Sequence, residues 1–599
     1  MSDRHEHEEL YGLSGLGRSL GRTLATIVPV TDRPAGAEPA GAEPALLPIE
    51  LTLPPKPEFG DVSTPVALAA ARLAGRSPRE LAGELGAAWC AGPGAGVCER
   101  FEVAGPGFLN LFLNDGWYRG AIRHMLALGD DHGRDVLPAD RRQKVNVEFV
   151  SVNPTGPLHV GHARYAAMGD ALCRLLAFAG HEVTREFYVN DFGSQMVKFG
   201  QSLAARYAQR LGIAMAVPDD GYLGDYLLEV ADRLIDEVGD RYRAAVAAAA
   251  PDATRVPAEV ADELRSWGRD AILARFRDTL ARLRVPFDVW TSEASLYAGG
   301  ASHRGFAGEV GKALRELDDD GELFEADAAV WLRTTDYGDD KDRVLIRQTG
   351  APTYFLSDIA YHRDKMDRGF AHLIDIWGAD HHGYVPRMKA MFTALPPHDP
   401  ERLELIIGQM VNLLESGVAR RMSKRRGDIV TVDDLIDAIG VDAVRFFMVA
   451  RSHDSTLDLD LDLAVEQSSK NPVYYVQYAH ARICSVLANL AREEGGETAP
   501  THLGASFGEV AVGPYERNLA RTLARFPLVV LEAVERRGPH RVHAYLGELA
   551  AEFHVFYRNC RVLTDDPEVA AFRTGLCVAT RTTLAKGLEL LGVSAPRSM

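Results

Sequence analysis

Two histidines lie three residues apart in the stretch PTGPLHVGH (154–162), among two prolines and two glycines. A helix N-terminus attracts anions because its free N–H groups and its dipole point there. Gly156 and Gly161 would allow a ligand to approach the backbone closely, and a proline would fix the backbone before the helix. His159 and His162 could then donate hydrogen bonds to phosphate oxygens. The alternative is a proline-stiffened turn with two surface histidines.

A second segment, ARRMSKRRG (419–427), is strongly cationic and is flanked by Gly417 and Gly427. Its basic residues are Arg420, Arg421, Lys424, Arg425 and Arg426. A glycine-hinged basic loop suits a mobile clamp over a polyphosphate, because positioned cations stabilise the negative charge of a reacting phosphate. A solvated basic turn is the alternative, and it is the commoner outcome for a run of like charges.

The elements around the histidines predict a parallel sheet. VNVEFVS (145–151) has strong strand propensity, an amphipathic helix follows up to Gly180, and HEVTREFYV (181–189) is a second predicted strand. Strand, loop, helix and strand form a βαβ unit, which places the histidines at the carboxyl end of the first strand, where open α/β sheets bind ligands. The chain contains no GxxxxGK[ST] loop, and GLSGLG (12–17) lacks the preceding strand that a dinucleotide fingerprint needs.

Residues 1–115 predict a small α+β domain. Its predicted elements are strands within 47–55 and 101–113 and helices at 65–75 and 77–89. A capping box from Ser77 to Glu80 would begin the second helix.

Residues 116–470 are predicted to form the domain that contains the sheet, with a helical insertion near 200–300. Strand patterns return near Ala328 and continue to about Glu415, so we expect the sheet to resume there. From Asn471 to the end, long periodic helices predict a C-terminal helical bundle over 471–599.

Composition excludes several classes of protein. The 599 residues are 46% hydrophobic and 25% charged, which is typical of globular domains, and the net charge of −18 argues against a general nucleic-acid coat. No run of eighteen apolar residues and no leader is present, so we expect a soluble cytoplasmic protein without membrane contact. The six cysteines contain no CxxC and do not suggest a disulfide framework; we expect most of them in the core, and we expect no structural zinc.

Together the histidine motif and the basic motif resemble a known pair. HVGH resembles the HIGH signature of class I aminoacyl-tRNA synthetases, and RMSKR resembles their KMSKS signature, in the same order. The resemblance is closest to arginyl-tRNA synthetases. It extends over 147–191, PTYFLSDIAYHRDK (352–365), WGADHHGYVPR (377–387), MSKRRGDIVTVDDLI (422–436) and NPVYYVQYAHARI (471–483), and the N-terminal KPEFGDVSTPVA and AGPGFLNLFL resemble that family's RNA-contacting domain.

The resemblance implies an α/β multidomain fold, with a Rossmann-like parallel-sheet catalytic domain, an N-terminal α+β domain and a C-terminal helical bundle. It also implies a two-step reaction. The carboxylate of L-arginine attacks the α-phosphate of ATP, which is accompanied by Mg²⁺, and the 2′-hydroxyl of the terminal adenosine of tRNA(Arg) then accepts the arginyl group. We expect a monomer.

By the same resemblance, residues that stabilise the reacting phosphate are His159, His162 and Lys424. The expected ATP-binding residues are Pro154, Thr155, Gly156, Pro157, His159, Gly161, His162, Gly378, Asp380, Met422, Ser423 and Lys424. Two positions depart from KMSKS, since Arg421 replaces its first Lys and Arg425 its last Ser. Arg and Lys are not interchangeable where geometry matters, so the contact made by Arg421 is open.

A pocket for arginine needs carboxylates, because the guanidinium is always charged and offers a planar set of donors. The resemblance assigns arginine binding to Glu148, Ser151, Asn153, Tyr354, Asp358 and Asp380. Taken alone, Glu148 would be an exposed strand acid and Asp358 a helix-surface acid. Asp380, His381 and His382 in GADHH are zinc-like residue types that we interpret as substrate-proximal.

The resemblance assigns tRNA binding to Tyr475, Tyr478 and Arg482 in the C-terminal bundle, because aromatic rings stack on unpaired bases and arginines contact phosphates. Burial in the core is an equal alternative for at least half of the tyrosines in this helix. Two other functions stay open. One is a small HxGH nucleotidyltransferase, and the other is a non-catalytic paralogue that binds tRNA or senses arginine.

Overall fold

The computed structural model describes residues 10–28, 49–54, 56–419, 431–493 and 507–599. In its N-terminal part, helices pack on a three-stranded antiparallel sheet of order β1-β3-β2. The elements are α1 (Leu13–Ile27), β1 (Val62–Thr64), α2 (Val66–Ala74), α3 (Pro78–Ala91), β2 (Cys98–Ala104) and β3 (Phe108–Leu113). This confirms the α+β prediction for the described part of the segment.

Three local predictions in this part are wrong. The single strand expected at 101–113 is a hairpin, because Gly105 (φ 49°) and Gly107 (φ 150°) turn the chain between β2 and β3. In the segment 47–55, of which 49–54 is described, the pairing is one bridge from Thr52 to Ser63. The side chain of Ser77 makes no cap hydrogen bond with α3, whose first turn begins instead with a proline.

A disulfide joins Cys90 and Cys98, between the end of α3 and the start of β2, which the sequence did not suggest. Buried positions are confirmed for Cys173, Cys560 and Cys577.

The central sheet is parallel, as expected. Its strands are β4 (Lys144–Glu148), β5 (Glu182–Val189), β6 (Val289–Ser292), β10 (His372–Gly378) and β11 (Leu403–Gly408), in the order β11-β10-β4-β5-β6. A parallel sheet is covered on both faces, so alternate residues of each strand belong to different cores. On one face Val145, Val147 and Phe187 join the core of α5 (Val160–Phe178), and on the other Tyr188 joins the core of α11 (Tyr354–Asp367).

The helical insertion lies between β5 and β6. Its helices are α6 (Ser194–Arg210), α7 (Tyr226–Val238), α8 (Arg243–Ala249) and α9 (Ala258–Arg282). The sheet therefore resumes at Val289, and the expectation that it resumes near Ala328 is wrong. A strand of four residues with half-buried side chains, such as β6, has too little periodicity to be recognised in the sequence.

Between β6 and the next described parallel strand, the chain forms a separate layer. The strands expected near 328–348 form an antiparallel sheet of their own, so their assignment to the central sheet is also wrong. The elements are α10 (Gly308–Asp319), β7 (Leu323–Ala326), β8 (Ala329–Leu332), β9 (Arg343–Ile346) and α11; helix α12 (Val385–Ala394), which follows β10, packs in the same core.

The parallel sheet ends at Gly408 rather than near Glu415. The chain then enters a small mixed sheet of order β13-β12-β14, so LELIIGQMVNLL contains two strands of different sheets. The elements are β12 (Val411–Glu415), β13 (Val418–Ala419), α13 (Val432–Ile439), α14 (Val441–Met448), β14 (Leu457–Asp460) and α15 (Leu461–Val465).

The C-terminal part is helical, as predicted. It comprises α16 (Pro472–Glu493), α17 (Pro514–Ala524), α18 (Phe526–Glu535), α19 (His540–Asn559) and α20 (Pro567–Leu590). Helix α4 (Asp115–Leu128) packs against α17 and α20, and the guanidinium of Arg517 donates to Asp115 at 2.6 Å. Within the described ranges, the helices are too short or too polar to span a bilayer.

Candidate active site

A strained turn follows β4 where the predicted ligand site begins. Val150 (φ 70°) and Ser151 (φ 31°) both have left-handed backbone conformations, which are costly for a β-branched residue. The turn is held by the Ser151 hydroxyl, which accepts the Tyr188 N–H at 3.0 Å. This strained turn lies at the carboxyl edge of the sheet, where an α/β fold binds its ligands.

The two predicted phosphate-binding histidines form one unit at the start of α5. His159 is the N-cap, and its ring stacks on that of His162 with centroids 3.5 Å apart. A Cβ added at Gly161 would lie 2.9 Å from the His159 ring, so the glycine between them gives the ring its place. The spacing HxGH is thereby explained by packing as well as by function.

Backbone hydrogen bonds fix which ring nitrogen faces a ligand. Gly161 N–H donates to His159 Nδ1, and His159 N–H donates to His162 Nδ1, both at 3.1 Å. Burial lowers the pKa of His159, and burial followed by the charge of His159 lowers the pKa of His162 to about 3. Both rings are therefore neutral at pH 7, with their proton on Nε2, and can donate from Nε2–H to an anion.

The loop before the helix is packed against the helical insertion. The Tyr226 hydroxyl at the start of α7 donates to the carbonyl of Thr155, and its ring would lie 3.3 Å from a Cβ at Gly156. The Asn153 side chain donates to Gln195 at the start of α6. Pro154 is buried and Pro157 is half-buried in the same loop.

The expected basic clamp lies outside the described residues. The clamp residues Met422, Ser423 and Lys424, and also Arg421 and Arg425, all fall outside the described ranges. On its far side the chain returns to the histidines, because Thr431 forms a bridge with His159 and Val432 N–H donates to the Leu158 carbonyl at 2.9 Å. Buried Arg164, one turn into α5, ties the helix to the start of the mixed sheet by donating to the carbonyls of Gln409 and Met410.

Glu148 is the innermost of the predicted arginine-binding residues. It is buried, and its Oε2 accepts from Lys365 Nζ at 2.6 Å; Lys365 also donates to Asp375 at 3.0 Å. Burial alone would lower the pKa of Lys365, but Asp375 and Glu148 raise it, so the lysine is charged. His362 Nε2 lies 2.8 Å from the other oxygen of Asp375. The floor of the site is thus a compensated ion network.

Asp358 differs because the partner it has is neutral. It accepts a hydrogen bond from the Tyr384 hydroxyl at 2.7 Å, and burial raises its pKa to about 6. Tyr354, one turn earlier in α11, is 47% exposed and its hydroxyl lies 3.2 Å from the position of a Cβ on Gly193. The chain thus brings Glu148, Ser151 and Asp358 to one edge of the sheet.

Two residues of this edge were missed by sequence reasoning. Tyr188 and Glu293 are 8% and 1% exposed, and both lie among the acids of the pocket. No motif marks WTSEASLY (290–297), and the strand that positions Glu293 was not predicted.

The end of β10 provides the remaining predicted residues. A Cβ at Gly378 would lie 2.7 Å from Asp380 Oδ1 and 3.3 Å from the Tyr165 hydroxyl, which donates to Gly408 at 3.1 Å. The side chains of Asp380 and His381 are 84% and 59% exposed at this edge. Over the described ranges, His, Cys, Asp and Glu form no group of three suited to a metal ion.

The three predicted tRNA-binding residues line a separate cleft of about 570 Å³ between α16 and α19. Arg482 donates to the Tyr478 hydroxyl at 2.6 Å and lies 4.9 Å from the Tyr557 ring. The Tyr475 ring lies 5.0 Å from that of His554. Sequence reasoning missed the cleft's α19 residues, which are His554, Tyr557 and Arg558.

Comparisons with known proteins agree with this arrangement. The family model for the class I (R) tRNA synthetase catalytic domain matches residues 126–483, that for the arginyl tRNA synthetase N-terminal domain matches 22–113, and that for the DALR anticodon binding domain matches 476–599. The catalytic-domain match covers more than half of the chain and shows that it is a class I tRNA synthetase, in agreement with the parallel sheet and the histidine pair at its carboxyl edge.

Two curated relatives identify the family within this class. The arginine–tRNA ligase of Syntrophotalea carbinolica is 47% identical, over 92% of this chain and 95% of the relative, and that of Bacillus subtilis is 43% identical, over 92% and 94%. The solved Thermus thermophilus arginyl-tRNA synthetase has the same fold, with a TM-score of 0.70 at 24% identity, over 98% of this chain and 100% of that one. The chain belongs to the arginine–tRNA ligase family, so the nucleotidyltransferase alternative is wrong.

Proposed function

We propose that this chain activates L-arginine with ATP and transfers it to tRNA(Arg) for translation, with the histidine pair as the phosphate site. The observation that carries the proposal is the stacking of His159 on His162 at the start of α5. Their Nδ1 atoms accept backbone N–H groups, which leaves two Nε2–H donors for one ligand. Two neutral donors suit a phosphate that gains charge as it is attacked.

In the first step the arginine carboxylate oxygen forms a bond to the α-phosphorus, and the bond to the bridging oxygen breaks to release pyrophosphate. Positioning and charge stabilisation carry this step, since a carboxylate needs no base. Lys424, with Met422 and Ser423, completes the phosphate site in this proposal. Mg²⁺ would accompany ATP and would neutralise part of the negative charge of its phosphates.

The remaining ATP-binding residues of the proposal lie along the same edge of the sheet. They are Pro154, Thr155, Gly156, Pro157, Gly161, Gly378 and Asp380. The cramped position of Gly378, between Asp380 and Tyr165, supports a role in close approach of the nucleotide.

The arginine guanidinium binds between Glu148 and Asp358 in this proposal. Asp358 gives the strongest support for this placement. Its carboxyl group has a pKa of about 6 and only a neutral hydroxyl partner, so a bound cation would stabilise its ionised form. Tyr354 closes the exposed side, while Ser151, Asn153 and Asp380 serve the amino acid's polar end.

The second step uses the tRNA that the C-terminal bundle binds. The 2′-hydroxyl oxygen of the terminal adenosine attacks the arginyl carbonyl carbon, loses its proton, and displaces AMP. Tyr475, Tyr478 and Arg482 bind the tRNA in this proposal, with unpaired bases stacking in the cleft between α16 and α19. We place the domain limits at 1–115, 116–470 and 471–599, and propose a cytoplasmic monomer.

Arginine-dependent exchange of pyrophosphate into ATP tests the proposal directly. It should be measured with and without tRNA(Arg), because tRNA itself could be required for activation. Exchange in at least one condition is expected with arginine and not with lysine. Absence of exchange in both would leave only the tRNA-binding, non-catalytic alternative.

Asp358→Asn tests the arginine pocket. A hydrogen bond between charged groups contributes about 1.5–3 kcal/mol, so the arginine KM should rise by roughly 10–100-fold while the ATP KM stays constant. An arginine KM equal to that of the wild type would remove Asp358 from the pocket.

A further inference from the structure

Among the buried polar atoms that lack a hydrogen-bond partner in the described residues, two bear on the proposed arginine pocket. Within the part of the chain that the structure describes, the Tyr188 hydroxyl and Glu293 Oε2 have no hydrogen-bond partner. An unpaired buried polar atom costs about 1–3 kcal/mol, so native proteins rarely keep one without a reason. Both atoms lie where β5 and β6 end, on the face of the sheet that α11 covers.

The charges around these atoms are negative. Burial raises the pKa of the Tyr188 hydroxyl, and the nearby charges of Glu293, Asp358 and Glu148 raise it further. Of the three, Glu148 has the cationic partner Lys365. Asp358 has the Tyr384 hydroxyl and Glu293 has the Ser357 hydroxyl, which are neutral groups.

Glu186 shows how this fold satisfies a structural buried acid. It lies two residues before Tyr188 in β5, and Arg368 donates to both of its oxygens at 2.9 Å. Asn146 and Thr291 donate to it as well. The contrast with Glu293, which is equally buried, indicates that the partner of Glu293 comes from outside the chain.

We infer that Glu293 is a specificity-determining residue of the arginine pocket, where it accepts N–H donors of the guanidinium beside the Tyr188 hydroxyl. The inference rests on the proposed function and extends its pocket by one wall. A guanidinium offers five N–H donors in a plane, which suits acceptors on three sides. The ammonium of lysine offers three donors from one point, and the ureido side chain of citrulline carries no charge.

The other groups around Glu293 do not replace that partner. Asp191 lies nearby but is already compensated by Arg269 at 3.3 Å, the Ser292 hydroxyl and the Ala294 N–H. The Tyr297 hydroxyl lies 2.7 Å from the Oγ of Ser357, the serine that Glu293 also contacts, and is a neutral group.

The test is arginine-dependent pyrophosphate exchange by the full chain, with tRNA(Arg) present. Glu293→Gln should raise the arginine KM by roughly 10–100-fold, with kcat and the ATP KM nearly unchanged, since the guanidinium is remote from the reacting atoms. Glu293→Asp should give a smaller rise. Inhibition by agmatine, which is arginine without its carboxylate, should weaken in parallel with the arginine KM.

The matched control is Glu316→Gln, the same change on α10. Glu316 pairs with Arg363 on the outer side of α11, and Arg363 keeps Asp367 at 2.8 Å as a partner. The arginine KM of this variant should equal that of the wild type. Circular dichroism and thermal unfolding should be used to check that both variants fold. If Glu293→Gln does not fold, the arginine KM of Glu293→Asp tests the inference instead.

A pH profile provides a readout that a merely structural residue would not change. Burial raises the pKa of Glu293 to about 7, so a proton must leave when a cation binds beside it. The wild-type arginine KM should therefore rise as the pH falls from 8 to 6, and Glu293→Gln should lose most of the rise above pH 6.5.

Two outcomes would overturn the inference. An unchanged arginine KM and unchanged agmatine inhibition in Glu293→Gln, with an active wild type, would remove Glu293 from the pocket while the proposed function stands. A rise confined to the tRNA KM of aminoacylation would assign Glu293 to the tRNA terminus instead. An inactive wild type would count against the proposed function.

Discussion

His162 has two roles at this site, one in capping α5 and one in the proposed contact with phosphate. His162 Nδ1 completes the cap of α5 by accepting the His159 N–H, and the ring lies flat against that of His159. The same ring must present Nε2–H to a phosphate. A substitution that keeps the cap but removes the Nε2 donor would separate the structural role from the chemical one.

His162→Ala should lose both roles. We expect the rate of adenylate formation to fall by roughly 10²–10³-fold, as for loss of a positioned donor to a developing charge, with the arginine KM unchanged. Loss of the cap should lower the free energy of unfolding by about 1 kcal/mol.

His162→Asn is the control, because its side-chain oxygen can still accept from the His159 N–H. Rapid-quench measurement of adenylate and urea unfolding would distinguish the variants. Wild-type rates in either of them would show that the ring has no phosphate role.

Glu293 should also affect stability in a pH-dependent manner. Its folded pKa of about 7 lies above the ordinary 4.5, so the folded chain holds a proton that the unfolded chain releases between these values. The folded state is therefore favoured below pH 4.5 and loses up to about 3 kcal/mol of this contribution as the pH rises through 7.

The check is urea unfolding of the wild type and Glu293→Gln without arginine, at pH 5 and pH 8. The unfolding free energy at pH 8 minus that at pH 5 should be larger in the variant than in the wild type, by up to about 3 kcal/mol. An identical pH dependence would mean that Glu293 is ionised in the folded chain at pH 5.

At this scale the sequence predicts a residue when a motif contains it. Glu148 and Asp358 lie in long matched stretches, and the sheet does bring them to one edge. Glu293 could not be predicted in this way, because its place depends on the pairing of β6 with β5, where Tyr188 is opposite Thr291. Tertiary register, and not local pattern, brings it beside Asp358.

The elements around the site divide in the same way. Helix α5 and strands β4, β5 and β10 were predictable from their helix and strand propensity, because their buried residues are mostly apolar. The antiparallel strands β8 and β9 were assigned to the wrong sheet, since a strand's propensity does not specify its partner. The insertion was recognised as helical, but its contact with the site depends on one tyrosine at the start of α7.

That contact makes the insertion part of the ATP loop. Tyr226→Phe removes the hydrogen bond to the Thr155 carbonyl and keeps the ring packed over Gly156. We expect the ATP KM to rise by roughly 3–10-fold, as for loss of one neutral hydrogen bond of about 1 kcal/mol, with the arginine KM unchanged.

Tyr242→Phe is the matched control in the same insertion, since its hydroxyl bonds to Glu263 at 2.6 Å rather than to the loop. Pyrophosphate exchange at varied ATP would measure both variants. Equal ATP KM values for the two would show that the insertion does not position the loop.

At the scale of the whole molecule, the C-terminal bundle is joined to the helix that begins at the histidines. Arg445 in α14 is fully buried; it donates to Asp170 of α5 at 2.5 Å and to the Leu591 carbonyl after α20 at 2.9 Å. A third bond reaches the Leu283 carbonyl at the end of the insertion at 2.8 Å. One guanidinium thus links three parts of the chain that the sequence treats as separate.

This junction changes how the bundle can be studied. The sequence suggests that 471–599 could be deleted to test tRNA selectivity. The structure argues against that test, because deletion would remove Leu591 from Arg445 and the bundle from α4, exposing buried apolar surface such as Ile122, which lies beside Gly575. Substitutions within the cleft, such as Tyr478→Ala, are the better instrument.

Arg445→Leu measures the strength of the junction. Removing one partner of a buried ion pair typically costs about 3–5 kcal/mol, although Arg174 remains bonded to Asp170 at 2.7 Å and reduces the loss. Arg141→Leu is the control, since Arg141 also joins the catalytic region to the bundle, through Glu535 at 3.2 Å, but the pair is exposed and should contribute less than about 1 kcal/mol. Urea unfolding compares them. If Arg445→Leu lowered the free energy of unfolding by no more than the control, apolar packing would hold the bundle against α5, and the buried guanidinium would not be needed for that contact.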